Sequence, residues 1–220
     1  MQVLLIPDLY EPATHWEALK QQLEKASLYT NIYSYTPPRN EDISDIVEDL
    51  KRNLVDETIL VGSGIGGRIA VQVAAQQPHQ LAGILLLSTP AMKAPGVRSF
   101  LLRVFLFITT PIRILIPYYA RKKLENLYKR LYPGDPKKML YRKIIADEQD
   151  AFLTKIADPL YLLWGSDDSR VPPAVANVIS EKLDYADVAH DMQIVAGGDH
   201  RLHQLQPDLV ATVIVAMTTH

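Results

Sequence analysis

The chain contains no cysteine. Disulfides, thiolate metal sites and cysteine nucleophiles are therefore excluded. The absence of cysteine is compatible with any compartment and favours a cytoplasmic one, which is the expectation. The opening residues lack the basic start and long apolar stretch of a signal peptide and run straight into a strand-like segment. No segment repeats at a fixed period, and none is low in complexity. His15, His79, His190 and His220 are scattered without metal-ligand spacing, so no metal is expected. The glycine turn at 62–67 lacks the lysine of a phosphate-binding loop, and no cofactor motif takes its place. Nucleic-acid-binding motifs are also missing.

What is present is a chain of 220 residues, 48% of them hydrophobic, enough for one globular domain with room for an insertion. The net charge is only −2, but it is unevenly placed. Residues 90–145 hold 13 of the 23 Lys and Arg and only 2 of the 25 Asp and Glu. An acidic body thus carries a basic, apolar segment, and 91–145 reads as a helical cap inserted into a core made of 1–90 and 146–220. Its most apolar stretch, 97–116, is broken by Arg103, Pro111 and Arg113, which argues against a membrane span. It suits a cap helix over a pocket, with an interfacial helix at a membrane surface as the alternative. Phe100, Phe105, Phe107, Tyr118 and Tyr119 fit an aromatic-lined cap and core packing equally well.

Short apolar, β-branched runs recur at 3–6, 31–35, 58–61, 84–87, 160–164 and 192–195. Runs without polar alternation suit strands covered on both faces. Helical spacing lies between and after them, at 15–25, 42–53, 67–76, 173–183 and 207–217. This alternation predicts an α/β fold: a mostly parallel sheet of about six strands flanked by helices.

Ligands bind beyond the carboxyl ends of the strands in such a sheet. The run at 59–70 reads as a buried strand, a glycine turn, then a helix, with Gly62 and Gly66 letting strand and helix approach closely. This is the layout of the G-x-S-x-G nucleophile elbow, whose middle residue carries a hydroxyl on a strained turn. The middle position here is Gly64. Glycine adopts such a conformation at little cost but supplies no nucleophile. Further on, a strand ends at Gly165 with Asp168 three residues beyond, and another leads through Gly197 and Gly198 to His200. The chain order is therefore position 64, an acid, a histidine.

VGSGIGG, WGSDDSRVP and GGDH at these three turns resemble the motifs of α/β-hydrolase-fold proteins of the small serine esterase and lipase type. The likeness spans nearly the whole chain. It implies a carboxylic-ester hydrolase lineage with Gly64 at the nucleophile position, Asp168 orienting His200, and His200 as general base and acid. It also implies an oxyanion hole built from the N–H groups of Ile65 and Leu9. That family usually has His-Gly where this chain has Pro7 and Asp8, and an acidic Asp8 would oppose a developing oxyanion. Without its serine, the chain as written is expected to be inactive or strongly impaired.

Each assignment has a rival. Asp167 competes with Asp168, and His203 with His200, while Asp8 could simply cap the turn after its strand. Ser63 is adjacent to the missing serine, but centring the elbow on it would put Val61 and Ile65 where glycines belong. Two other functions remain open: a non-covalent hydrolase or lyase using His200 and Asp168, and a binding protein. The expected partner is a small apolar ester or acyl ligand, with a membrane surface reached through the basic cap and no nucleic acid. The oligomeric state is not legible in the sequence.

Overall fold

The computed structural model describes residues 1–34, 43–91 and 149–219, together with Leu140 and Ile144. Most of the segment read as a cap, including 97–116, its aromatic residues and the basic tract, lies outside the described residues.

Six strands form one sheet: β1 (Gln2–Ile6), β2 (Tyr29–Ile32), β3 (Thr58–Ser63), β4 (Leu81–Leu87), β5 (Leu160–Gly165) and β6 (His190–Val195). Their order is β2-β1-β3-β4-β5-β6, and every pairing is parallel. The described helices are α1 (Glu17–Lys25), α2 (Ile43–Arg52), α3 (Ile65–Ala74), α4 (Asp150–Leu153), α5 (Ala174–Tyr185), α6 (Leu202–Leu205) and α7 (Pro207–Met217). A 3-10 turn at Ala13–Trp16 precedes α1.

Alternation within each strand explains how the sheet is covered. Val3, Leu5, Ile59 and Val61 point to one face, where they pack with Leu19 and Leu23 of α1 and Val210 and Ile214 of α7. Leu4, Ile6 and Leu60 point to the other, against Ile46 and Leu50 of α2, Ile69 of α3 and Ile179 of α5. All of these are at most 3% exposed, and each aliphatic side chain so buried stabilises the fold by roughly 1.5–3 kcal/mol before entropy is counted. The parallel sheet with both faces covered is the architecture the apolar runs predict. The edge strand β6 departs from it, with Asp191 to Ile194 exposed and only Val195 buried.

Several boundaries differ from the sequence reading, among them the start of β4 at Leu81 rather than 84. The second strand lies at Tyr29–Ile32 rather than 31–35, because the chain leaves α1 through Ser27 at φ 63 and the Leu28 N–H closes back on the Leu23 carbonyl. The chain is thereby turned early enough for Tyr29 to pair with Gln2. The pattern at 15–25 divides into the 3-10 turn and α1, and α3 starts at Ile65, two residues sooner than its periodicity suggests.

The topology also fixes where a site can form. From β1 the chain moves outward to β2, then crosses back past β1 to β3, so the connections leave β1 and β3 in opposite directions. A crevice opens at such a switch point, beyond the carboxyl ends of these two strands. The residue just before the segment read as a cap and one near its far end are both tied to α3. The buried Arg68 guanidinium donates to the Ile144 carbonyl (3.1 and 2.8 Å) and to the Pro90 carbonyl (2.6 Å). Among the described residues no helix is long and apolar enough to cross a membrane.

Candidate active site

β3 delivers its last residue, Ser63, to the base of the crevice, and Gly64 then turns the chain into α3 with φ 54 and ψ −121. That conformation is nearly closed to residues with a side chain. The flanking glycines are steric necessities. A Cβ on Gly62 would lie 2.5 Å from the Gly67 Cα, and one on Gly66 would collide with the Ile6 carbonyl oxygen. Strand and helix therefore meet backbone to backbone, as a nucleophile elbow requires.

The acid and histidine turns are fastened to each other. Ser166 N–H donates to the Val195 carbonyl and Asp167 N–H to the Gly198 carbonyl, both at 2.9 Å, while Gly197 N–H donates to Ser166 Oγ at 2.8 Å. A Cβ at Gly165 would collide with Gly198, so glycine there permits the approach. From below, Trp164 Nε1–H donates to the Val171 carbonyl (3.0 Å) and pins the far side of the acid loop. The outcome is a short contact. His200 Nδ1 lies 2.9 Å from Asp168 Oδ2, and Asp168 Oδ1 accepts the N–H groups of Arg170 (2.9 Å) and Val171 (2.8 Å).

Asp168 is almost fully buried. Burial alone would raise its pKa, but hydrogen bonds from the His200 ring and the Val171 N–H outweigh it and hold the carboxyl below its usual range. An ionised Asp168 selects the His200 tautomer with the proton on Nδ1. Nε2 is then left as a base, with no hydrogen-bond partner among the described residues. Of the rival acids, Asp167 is exposed and accepts from Ser166 Oγ (2.8 Å) instead.

Gly64, Ile65, Ser63 and His200 line one cavity of about 530 Å³, to which Asp8, Glu11, His15, Arg170 and Arg201 also contribute. Leu9 does not line it: its side chain is buried in the core beneath. The Ile65 N–H, by contrast, is already taken. Asp8 reaches across the switch point, and its Oδ2 accepts that N–H at 3.0 Å. The same carboxylate occupies the space a side chain at position 64 would need. A Cβ built on Gly64 would overlap Asp8 Oδ2 and sit 3.2 Å from its Cγ. Glycine at 64 and aspartate at 8 are thus complementary in shape, and the carboxylate lies at the positive end of α3. Asp8 does cap its own turn as well, accepting the Tyr10 N–H at 3.3 Å.

A second acid–histidine pair, which the sequence did not disclose, closes the other side of the cavity. His203 Nε2 lies 2.6 Å from Glu11 Oε1, Trp16 Nε1–H donates to Glu11 Oε2 (2.9 Å), and the Trp16 and His203 rings stack at 4.1 Å. Burial pushes the Glu11 pKa up, but His203 and Trp16 outweigh it and hold the carboxyl below its usual range. The pair ties the loop carrying Asp8 to α6, one turn past His200. His203 is therefore committed to Glu11 and does not compete for Asp168. His15 stands 3.5 Å from the same carboxylate, His190 is bound to Ser180 and the Val188 carbonyl, and His220 lies outside the described residues. Among the described residues no group of three or more His, Asp and Glu side chains is placed to hold a metal ion.

A family model described as "Alpha/beta hydrolase family" matches residues 3–213. A curated relative, the biotin biosynthesis bifunctional protein BioHC of Cellvibrio japonicus, is 24% identical over 188 residues, or 77% of this chain. The matched region covers 37% of that longer protein. Among solved structures, a bromoperoxidase from Bacillus anthracis superposes with a TM-score of 0.70 at 16% identity, covering 100% of this chain and 92% of its own. A monoacylglycerol lipase from Paleococcus ferrophilus does so with 0.68 at 17% identity, covering 100% and 94%. At such identities the structures are alike in fold.

Proposed function

The chain belongs to the α/β-hydrolase family, and we propose that it is a carboxylic-ester hydrolase scaffold with Gly64 at the nucleophile position, unable to run covalent acyl transfer as written. One observation carries this reading: Gly64, at φ 54 on the tip of the elbow, shares a cavity with His200, whose other ring nitrogen is held by buried Asp168. His200 is the general base and Asp168 the group that orients it and stabilises its charged form. The residue that should surrender its proton to His200 has no hydroxyl.

A second obstacle reinforces the first. The Ile65 N–H, with the Leu9 N–H as its proposed partner, is the donor that should meet the developing oxyanion, and it holds Asp8 instead. Two anions cannot share that position, and losing one such donor costs roughly 10²–10³ in rate. Ser63 does not replace the serine: as the last residue of β3 it precedes the turn, and a misplacement of about 1 Å costs on the order of a hundredfold.

Ester hydrolysis therefore needs two changes. The variant G64S/D8A supplies the hydroxyl and clears the donor. It is expected to hydrolyse p-nitrophenyl acetate at least about a hundredfold faster than the unchanged chain, with the gain abolished by a further His200→Ala. A folded double variant with no gain refutes the assignment.

The open Nε2 of His200 supports a second reading, in which the His200–Asp168 pair removes a proton from water or ligand without a covalent intermediate. Activity of the unchanged chain that follows His200 and survives at position 64 would select it.

A further inference from the structure

The charges lining the cavity are equal in number but not equally engaged. Its two carboxylates are both engaged, Asp8 by the Ile65 and Tyr10 N–H groups and Glu11 by His203 and Trp16. Its two arginines are not. Among the described residues, the guanidinium groups of Arg170 and Arg201 make no ion pair and no hydrogen bond. The neighbouring acids do not pair with them: Asp168 is taken by His200 Nδ1 and the backbone N–H groups of Arg170 and Val171, Asp167 accepts from Ser166 Oγ, and Asp199 accepts the His200 N–H at 2.7 Å.

Placement gives these two cations their meaning. Arg170 follows Asp168 by two residues, and its backbone N–H donates to that carboxylate, while Arg201 directly follows His200. Both therefore sit on the two fastened loops that carry the acid–base pair. Arg170 is exposed and Arg201 half-buried, so both line the cavity from its solvent side, and a guanidinium there offers a planar fork of donors matched to carboxylate or phosphate oxygens. The other position suited to an anion, the start of α3, is filled by Asp8.

We propose that the cavity binds an acyl or related apolar ligand bearing a carboxylate or phosphate group, with the anion held by Arg170 and Arg201 and not by the Ile65 N–H. The inference rests on the reading that His200 faces the ligand, but it does not require hydrolysis. The anion lies at the histidine-bearing edge of the cavity, and the apolar part of the ligand extends past Ile65, Pro90 and Val171. Asp8 enforces this orientation by repelling a second anion from the start of α3.

The test is an NMR titration of the full chain with hexanoate, hexyl phosphate and the neutral hexanamide at low ionic strength. The resonances followed are the Arg170 and Arg201 Nε–H groups, the His200 ring and the Ile65 amide. At least one anion is expected to bind about tenfold tighter than hexanamide and to shift both arginines and His200. Hexanoate or hexyl phosphate winning alone identifies the head group. Arg170→Gln/Arg201→Gln should erase the preference, and the corresponding Lys variant should retain part of it as a point charge, with circular dichroism verifying that both are folded. Equal binding of hexanamide, a preference that survives the Gln variant, or saturation of none of the probes overturns the proposal. So does a shift at Ile65 without shifts at the arginines. If anion binding holds while G64S/D8A gains no esterase activity, the proposed function fails and this inference stands.

Discussion

Gly64 and Asp8 fit together so closely that their substitutions should not act independently. Gly64→Ser places a side chain on a backbone at φ 54 and ψ −121, a strain of about 1–3 kcal/mol. It also forces the Asp8 carboxylate off the Ile65 N–H, because the new Cβ needs the space that Oδ2 fills. A hydrogen bond to a charged group contributes about 1.5–3 kcal/mol. Asp8→Ala loses that same bond without the strain. In the double variant the bond is lost once, not twice, so its destabilisation should fall short of the sum of the singles by about 2 kcal/mol. Urea unfolding of the four proteins, monitored by circular dichroism, measures this coupling as a shift in midpoint at constant slope. Additivity within about 0.5 kcal/mol would refute the claim that the carboxylate and a position-64 side chain compete for one place.

Other consequences are separately measurable. Both Asp168 and Glu11 have carboxyls held below their ordinary range in the folded chain, so their contribution to stability is present above pH about 4.5 and is lost as pH falls through the depressed folded values. Asp168→Asn and Glu11→Gln should each flatten the acid limb of a stability–pH curve, and an unchanged limb in both would contradict the assignment. Glu11→Ala should also lower neutral-pH stability by about 1–3 kcal/mol, because it strands the buried His203 ring nitrogen; thermal melting checks this. Gly66→Ala should be more damaging than Gly197→Ala, since the Gly66 Cβ meets the Ile6 carbonyl, whereas a Cβ on Gly197 meets nothing within 4 Å and adds only the backbone strain of φ 67; thermal melting of the two variants compares them.

The sheet and three of the candidate positions were legible because their signals are local. Buried parallel strands announce themselves as unbroken apolar runs, and the turns at 62–67, 165–168 and 197–200 are built from glycines that must be where they are. What the sequence hid is long-range or short. Asp8 finds the Ile65 N–H across 57 residues, and Glu11 finds His203 across 192, contacts that exist only once the switch point between β1 and β3 is formed. The single-turn helices α4 and α6 are too brief for any periodicity to register. The early start of β2 was decided by Ser27 adopting a left-handed conformation usually left to glycine or asparagine, which no pattern of apolar residues encodes. Tyr10 and Glu11, flanking nothing that resembles a motif, are placed in the cavity by the same loop that carries Asp8.

The central claim is that position 64 is where the nucleophile belongs. Peptide mapping by mass spectrometry after treatment with a fluorophosphonate tests it most directly. In G64S/D8A the adduct should form on the serine introduced at position 64, disappear with His200→Ala, and be missing from the unchanged chain. An adduct on Ser63, or none on a folded double variant, would contradict the account.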